Sequence, residues 1–337
     1  MTENKISLLS NLYRAILHRE PKSVELQRFE VLSSNDLDLD KIVCQLMGTA
    51  EFKTVQDKLS KLLIKPGHFY SPIVNVEEIK EAFLNRTIPE SLPGIDIDND
   101  SMMRLWNDLL PYLNQIPFPE VKSDDYRYFF KNPAFSYGDG SILYAMLRHF
   151  KPKRYVEIGS GFSSGCAVDT NALYFDDKIS MSFIEPYPQL LKQVLGESGT
   201  ANVKIHSVNV QQADLEIFKQ LESGDVLFID STHVLKTGSD VCYELFEVLP
   251  ILKPGVIIHF HDIFWPFEYG KKWVLVENRS WNEIYALRAF LMNNDNYKIL
   301  FFNDWFRRFY EDKITLSYPA FLRNTGGSIW IKKLSNF

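Results

Sequence analysis

The stretch YVEIGSGFSSG, Tyr155 to Gly165, decides the fold, because it predicts a strand, a glycine turn and the start of a helix. Apolar residues surround Glu157, and Gly159 and Gly161 permit a tight turn and close approach of a ligand to the backbone. The helix that opens at Phe162 offers free backbone N–H groups in its first turn. A dinucleotide-binding fingerprint expects a third glycine at position 164, where this chain has serine. The stretch therefore predicts a ligand-binding strand–turn–helix unit and argues against a nicotinamide cofactor.

Downstream of this unit, short apolar strands alternate with helical patterns. Strands are predicted over residues 154–158, 179–184, 203–206, 226–229, 255–260, 298–302 and 328–332. Helices are predicted over residues 142–150, 162–173, 188–195, 213–221, 238–249 and 281–292. This order predicts an α/β fold, a Rossmann-like sheet with helices on both faces. Ligands of such sheets bind at the carboxyl ends of the strands, so the functional residues are expected there.

The 337 residues divide into three segments in this interpretation. Residues 1–63 predict a small all-α domain, since apolar residues recur there at helical spacing. Residues 64–135 form a connector that proline and glycine interrupt, either a lid over a pocket or a collar packed around the sheet. One helix is predicted inside the connector, over residues 101–113. Residues 136–337 hold the α/β domain.

Composition and charge argue against several classes of function. The net charge of −6, without a basic block, is a poor match to nucleic-acid binding, which clustered Lys and Arg drive. No apolar run is long enough to span a bilayer, and the N-terminus lacks the features of a signal peptide, so a cytoplasmic protein is expected. The cysteines Cys44, Cys166 and Cys242 show no CxxC spacing, which predicts free thiols rather than a zinc site.

Glu185, in FIEPYP at the end of the second predicted strand, is the candidate ribose-binding residue. It follows the glycine turn at close to the roughly 20-residue interval at which a carboxylate accepts hydrogen bonds from ribose hydroxyls. Nicotinamide enzymes share this feature, so Glu185 alone does not distinguish between cofactors. Residues 209–212, after the third strand, are expected beside an adenine ring.

Two histidines and two aspartates follow neighbouring strands. Asp230 and His233 end the stretch DVLFIDSTH, and His261 and Asp262 lie in GVIIHFHDIFWP at the end of the next strand. His259 shares a strand face with His261 but lies deeper, as a core residue. This cluster is the predicted chemical centre of the chain.

Two mechanisms fit the cluster. In the preferred one, His233 or His261 is the general base that removes a hydroxyl proton from an acceptor, since the pKa of histidine suits proton transfer near neutrality. In the other, Asp230, Asp262 and His261 hold a divalent ion, Mg²⁺ or Mn²⁺, that polarises the acceptor oxygen. One carboxylate from each strand is a sparse ligand set for Mg²⁺, which favours the base.

Together these stretches resemble one group of class I S-adenosylmethionine-dependent methyltransferases. The resemblance covers residues 66–337 and rests on FYSP, LPGID, FSYGDGSILYAMLRHFKPKRYVEIGSGFSSG, GDVLFIDSTHVLKTGSDV, LKPGVIIHFHDIFWPFEY, WNEIYALRAFL and GGSIW. It implies a seven-stranded sheet whose last strand is antiparallel, and it implies S-adenosylmethionine as the cofactor.

The resemblance also implies roles for individual residues. Glu157 would face the sulfonium and amino groups, and the implied cofactor-binding set is Glu157, Gly159, Ser160, Gly161, Glu185 and Asp230. His233, His261 and Asp262 would face the acceptor as catalytic residues. Related enzymes with His-Asp at the fifth strand often act on sugars, so O-methylation of a sugar or glycan hydroxyl is expected. The candidates for the acceptor groove are Tyr70, Asp139, Tyr144, Trp265 and Glu268.

Residues 1–63 resemble the small helical DUF4214-type module that is often attached to glycan-modifying enzymes, through LYRAILHREP, Phe29 and IVCQLMGTAEFK. This resemblance implies docking to a protein partner or self-association. Three other functions are alternatives: a nicotinamide-dependent oxidoreductase on the same fold, a non-catalytic scaffold, and a glycosyltransferase. The first lacks the third glycine, the second leaves the charged strand ends unexplained, and the third has only the acidic stretch DIDND, outside any strand end.

Overall fold

The N-terminal and C-terminal parts of the chain form two separate units in the computed structural model, Met1–Glu81 and Ala82–Phe337. The structure describes residues 3–17, 19–26, 39–60, 63–196 and 203–335. The division falls inside the predicted connector of residues 64–135, so most of that segment belongs with the second unit. Within the described ranges, no helix is long and apolar enough to cross a membrane.

The first unit is built from helices, as predicted. Helices α1 (Glu3–Leu17), α2 (Leu39–Met47) and α3 (Ala50–Ser60) are its main elements. Its small core is formed by the buried side chains of Leu9, Tyr13, Leu17, Ile42 and Leu46. Three of these recur every four residues along α1 and so share one face of the helix. Residues 23–26 are also helical, and residues 27–38 lie outside the described part of the chain.

The second unit contains the predicted seven-stranded sheet. Its strands are β1 (Arg154–Ile158), β2 (Ser180–Ile184), β3 (Val203–His206), β4 (Val226–Ile229), β5 (Ile257–His261), β6 (Tyr297–Phe302) and β7 (Ser328–Lys333). The strand order is β3-β2-β1-β4-β5-β7-β6, with β7 antiparallel to both of its neighbours. The order of connection reverses between β1 and β4, which is the position where sheets of this kind bind ligands.

Helices surround this sheet. They are α5 (Asn99–Leu113), α6 (Tyr137–Phe150), α7 (Phe162–Phe175), α8 (Gln189–Leu195), α9 (Glu216–Lys219), α10 (Asp240–Tyr243), α11 (Leu249–Ile251), α12 (Glu283–Leu291), α13 (Asn303–Phe309) and α14 (Glu311–Ser317). Helix α4 (Val76–Leu84) precedes them in the chain and spans the boundary between the two units. A π-helical turn, Glu244–Val248, joins α10 to α11, and a second one spans Lys272–Val276. The helix predicted over residues 213–221 is reduced to α9, and α4, α13 and α14 were not predicted.

Helices α5 and α6 show how the predicted connector joins the main core. The side chain of Asp98 accepts a hydrogen bond from the Ser101 N–H and so caps α5. The buried face of α5 includes Trp106 and Leu109, and it packs against α6. Helix α6 is buried from Tyr137 to Leu147, because it lies between α5 and α7. The segment therefore behaves as a collar packed on the domain over the length of α5.

Candidate active site

The glycine turn after β1 brings three strand ends into close contact. Gly159 has φ +76°, and a Cβ atom there would lie 1.8 Å from the carbonyl oxygen of Asp230. The Gly159 N–H donates to the Ile184 carbonyl, and the Asp230 N–H donates to the Ile158 carbonyl. Only glycine fits this position, because both the backbone conformation and the space exclude a side chain. The turn is thus locked between the ends of β2 and β4.

Glu157 does not face the cleft, which corrects its predicted role. Its side chain is fully buried and accepts hydrogen bonds from the hydroxyls of Tyr155 (2.7 Å), Ser163 (2.8 Å) and Ser164 (2.7 Å). Burial raises its pKa to about 7. Ser164 stands where a dinucleotide fingerprint has glycine, and its hydroxyl also accepts from the Gly161 N–H. Glu157 therefore supports the glycine turn and the first turn of α7 from within the core.

Glu185 lies at the rim of a pocket formed by the ends of β1, β2 and β4. Its carboxylate accepts hydrogen bonds from the backbone N–H groups of Ser160 (3.1 Å) and Tyr187 (2.8 Å). The pocket has a volume of about 440 Å³, within the usual range for a small-molecule site. Its lining includes Gly159, Glu185, Tyr187, Asn209, Val210, Gln211, Asp230 and Asp240. Three of the residues predicted beside an adenine ring, 209–211, are in this lining.

His233 lies at the centre of a charged cluster. Its Nδ1 is 2.7 Å from Glu283 Oε2, and its Nε2 is 3.5 Å from a carboxylate oxygen of both Asp230 and Asp262. His261 Nε2 is 3.6 Å from the other oxygen of Asp262. The four residues predicted at the two strand ends therefore lie together. Glu283, on α12, completes the cluster and was not predicted.

The charge state of His233 corrects its predicted role as a base. Burial alone would lower its pKa, but the hydrogen bond with Glu283 and the charges of Asp230 and Asp262 outweigh that effect and raise the pKa to about 9. The imidazole is consequently protonated at neutral pH and has no free lone pair to accept a proton. Its charge instead balances the carboxylates around it.

The carboxylates, not the imidazoles, reach the cleft. The side chains of Asp230 and Asp262 are 31% and 18% exposed, whereas those of His233 and His261 are 5% and 7% exposed. Burial raises the pKa of Asp262, although the charges of His261 and His233 oppose this. Burial would lower the pKa of His261, but the charges of Asp230, Asp262 and Asp139 raise it. An acceptor in the cleft would thus meet the aspartates first.

Two residues of the cluster have unusual backbone conformations. His233 and Asp262 have φ of +61° and +57°, in the left-handed region that side chains disfavour. Such conformations persist where the surrounding structure enforces them, often at functional sites. Here the His233 carbonyl accepts hydrogen bonds from the N–H groups of Asn282 and Glu283, which fixes the turn against the start of α12.

The predicted metal set does not fit an ion. Among the residues that the structure describes, no group of three or more His, Cys, Asp or Glu side chains is arranged to hold a metal. The protonated ring of His233 lies between Asp230 and Asp262 and already supplies a positive charge there. We therefore assign no step to a metal held by Asp230, Asp262 and His261.

His259 is a core residue, as predicted. It is fully buried, and its ring stacks on Phe228 with the centroids 3.9 Å apart. Neither ring nitrogen has a hydrogen-bond partner among the described residues. Burial lowers its pKa well below the usual value, so the ring is neutral.

Two of the predicted acceptor residues are packing residues instead. Tyr144 is fully buried, and its hydroxyl lies 2.7 Å from Arg148 Nη1. Trp265 is 1% exposed, and its indole N–H donates to the Pro89 carbonyl at 2.6 Å. Neither ring offers a surface to an acceptor, because both are enclosed by the core.

The other three acceptor candidates lie in different surroundings. Asp139 is buried on α6, where Ser328 donates to it, and burial raises its pKa to about 6. Glu268 accepts a hydrogen bond from the Tyr285 hydroxyl at 2.6 Å. Tyr70 belongs to the first unit, where its exposed ring packs on Phe69, and its role stays a prediction.

Comparison with known proteins agrees with this arrangement. A family model described as a methyltransferase domain matches residues 156–263, the segment that carries the glycine turn and four of the five residues of the charged cluster, all but Glu283. An uncharacterized protein of Archaeoglobus fulgidus is 35% identical over 168 residues, which is 48% of this chain and 74% of that protein.

Solved structures are similar over larger parts of the chain but at low identity. One is the O-methyltransferase TomG from Streptomyces achromogenes, which is involved in tomaymycin synthesis and was solved in complex with SAM. It is 13% identical to this chain, with a TM-score of 0.38, and the match covers 77% of this chain and 97% of that chain. A putative O-methyltransferase from Klebsiella pneumoniae is 13% identical, with 77% and 94% covered and a TM-score of 0.39.

Proposed function

We propose that this chain, which belongs to the class I S-adenosylmethionine-dependent methyltransferases, transfers a methyl group to a hydroxyl oxygen of a sugar or glycan acceptor. One observation carries the proposal. Asp230 lines the pocket beside Glu185 and also lies 3.5 Å from His233, in the charged cluster. A cofactor in the pocket and an acceptor at the cluster would therefore meet at one residue, which is the proximity that group transfer requires.

The residues of the pocket fit the cofactor. Glu185 has a carboxylate held in place by two backbone N–H groups, with lone pairs left for ribose hydroxyls. The absence of a side chain at Gly159 lets a ligand approach the turn, and Asn209 and Gln211 offer polar groups at the far side. When bound, S-adenosylmethionine would supply an electrophilic methyl group next to its positive sulfonium. The carboxylate of Asp230 is placed to stabilise a positive charge there.

The acceptor proton is assigned to Asp262. Its carboxylate is more exposed than either histidine, and burial raises its pKa towards the range useful for a base. An oxygen of Asp262 would accept the proton of the acceptor hydroxyl as the hydroxyl oxygen bonds to the methyl carbon, while the electron pair of the carbon–sulfur bond would leave with S-adenosylhomocysteine. His261 and His233 lie behind Asp262 and act as positioning residues that hold its charge and orientation.

Aromatic rings beside the cluster support a sugar as the acceptor. The Trp281 ring lies 4.5 Å from the His233 ring, and Trp273 lies 5.3 Å from Trp281. Both indoles are half-buried, and the Arg279 guanidinium lies over each ring, so an acceptor would meet the part of the two rings that this side chain leaves open. Faces of indole rings bind the C–H faces of sugars, and the neighbouring carboxylates can bind the hydroxyls.

Label transfer tests the proposal. The protein is incubated with methyl-tritiated S-adenosylmethionine and a panel of neutral, carboxylated and phosphorylated glycosides, and Asp262→Asn serves as the matched variant. We expect label in at least one glycoside, in a product that survives alkali as a methyl ether does. Label in none of them, or only in alkali-labile esters, would contradict O-methylation of a sugar hydroxyl.

A further inference from the structure

Arg279 lies in a corner between two tryptophan rings next to the charged cluster. Its guanidinium carbon is 4.0 Å from the centre of the Trp273 ring and 4.5 Å from that of Trp281. Trp281 in turn packs on His233. Cation–π contacts of this kind orient a guanidinium without using its hydrogen-bond donors. The arginine is thus held against two rings, one of which packs on the charged cluster.

Only one edge of this guanidinium is paired. Arg279 Nε donates to Glu277 Oε2 at 2.6 Å, and within the described residues neither terminal nitrogen has a hydrogen-bond partner. The side chain is 29% exposed, so part of it remains accessible to a ligand. A guanidinium edge presents two parallel N–H donors, which match the two oxygens of a carboxylate or phosphate.

The backbone around Arg279 is held in disfavoured conformations. Asn278 and Ser280, its two neighbours, have φ of +45° and +50°, and neither is glycine. The Arg279 N–H donates to the Trp273 carbonyl at 3.0 Å, which ties the loop to the π-helical turn. Strain on both sides of one side chain indicates that its position is enforced.

The charges around the cleft give this arginine a specific use. Three carboxylates, those of Asp230, Asp262 and Glu283, lie within 3.5 Å of the His233 imidazole, so an anion at the cluster would meet several negative groups. Burial raises the pKa of Asp262, and the charges of His261, His233 and Arg279 oppose that rise. Arg279 is linked to the cluster through Trp281, whose ring packs on His233. An anionic ligand would pair with the positive charge of Arg279. That contact would also fix the distance between the ligand's anionic group and the carboxylates of the cluster.

We infer that Arg279 binds a carboxylate or phosphate of the acceptor while the hydroxyl to be methylated faces Asp262. The inference rests on the proposed function and names the acceptor as an anionic sugar, a uronate or a sugar phosphate. It makes Arg279 a specificity residue that the strand-end pattern did not identify.

The test is binding of matched probes to protein saturated with S-adenosylhomocysteine. Calorimetry and tryptophan fluorescence are recorded with methyl glucoside, glucuronate and glucose 6-phosphate, for the wild-type protein, Arg279→Gln, Arg279→Lys and the control Arg307→Gln. Arg307 pairs with Glu311 on the surface. Thermal unfolding of each variant establishes that it folds.

We expect wild-type protein to bind one anionic probe about ten-fold more tightly than methyl glucoside. Arg279→Gln should abolish this difference in affinity, because it removes a charge-assisted contact. Arg279→Lys should recover part of the affinity, since it keeps the charge but not the planar fork. The affinities for glucuronate and glucose 6-phosphate, compared with each other, show whether the site prefers a carboxylate or a phosphate. Three results would each overturn the inference. The neutral probe could bind as tightly as the anionic ones, Arg279→Gln could keep the wild-type affinity for the anion, or neither anion could bind. Failure of S-adenosylhomocysteine itself to bind would instead overturn the proposed function, and this inference with it.

Discussion

His233 and Glu283, fifty positions apart in the chain, share a 2.7 Å hydrogen bond that is sealed from solvent. The bond joins the loop after β4 to the first residue of α12, and it fixes which imidazole nitrogen faces Asp230 and Asp262. Because three carboxylates surround one imidazole, the folded chain holds a proton on His233 that an unfolded chain would release at neutral pH. This proton has a measurable consequence for stability.

The stabilisation that His233 provides should decrease with rising pH. Its pKa is raised from 6.5 to about 9, so the stabilisation is complete below pH 6.5 and is lost as pH rises through 9. The free energy of unfolding of wild type minus that of His233→Asn should fall by on the order of 3 kcal/mol across this window. Urea unfolding at several pH values measures it. A difference that stays constant from pH 6 to pH 10 would mean that His233 is not protonated in the folded state.

Glu185→Ala should weaken binding of S-adenosylhomocysteine by about 10- to 100-fold, the cost of losing charge-assisted hydrogen bonds to a ribose. Calorimetric titration measures the affinity. Glu216→Ala is the matched control, since Glu216 is an exposed carboxylate paired with Lys219 on α9. Equal affinities for the two variants would remove Glu185 from the cofactor site.

Gly159→Ala should destabilise the protein far more than Gly238→Ala. The two glycines have nearly the same φ, +76° and +74°, so alanine should cause about the same backbone strain at either position. At Gly159 the new Cβ would lie 1.8 Å from the Asp230 carbonyl oxygen, whereas Gly238 has nothing within 4 Å. We expect Gly159→Ala to lose roughly 2–3 kcal/mol more, as over-packed sites do. Similar unfolding free energies for the two variants would show that the contact between β1 and β4 is loose.

Asp262→Asn should lower kcat by about 10²- to 10⁴-fold, the usual effect of losing a general base, with cofactor affinity nearly unchanged. His261→Ala should lower kcat less and move the pH profile, because His261 acts through Asp262. Both constants are measured with the acceptor found by label transfer. If His261→Ala were the more severe variant and its pH profile stayed fixed, the proton would belong on the imidazole.

The strands of the sheet could be predicted because each is a short apolar run next to a turn. The central strands β4 and β5 are buried on both faces, which requires such runs, whereas β3 at the sheet edge is partly exposed. Strands β1, β3 and β4 begin and end where predicted. Helices α13 and α14 were missed because each has seven residues, too few for a helical period to show clearly, and they meet at Tyr310 without glycine or proline.

The site was predicted only where topology determines it. Residues at the carboxyl ends of neighbouring parallel strands lie close together irrespective of loop conformation. This is why the clustering of Asp230, His233, His261 and Asp262 could be predicted. Glu283 and Arg279 reach the same place from α12 and the loop before it, and local sequence carries no signal for that approach. The role of Glu157 was misassigned because the pattern does not show that three hydroxyls surround it in the core.

The most direct test of an S-adenosylmethionine site at the carboxyl edge of the sheet is calorimetric titration of the full chain with S-adenosylhomocysteine and, separately, with NAD. We expect saturable binding of S-adenosylhomocysteine with one site per chain and no heat of binding with NAD, since serine replaces the third glycine at position 164 and its hydroxyl donates to Glu157. Binding of NAD, or of neither compound, would contradict a methyltransferase site at this edge of the sheet.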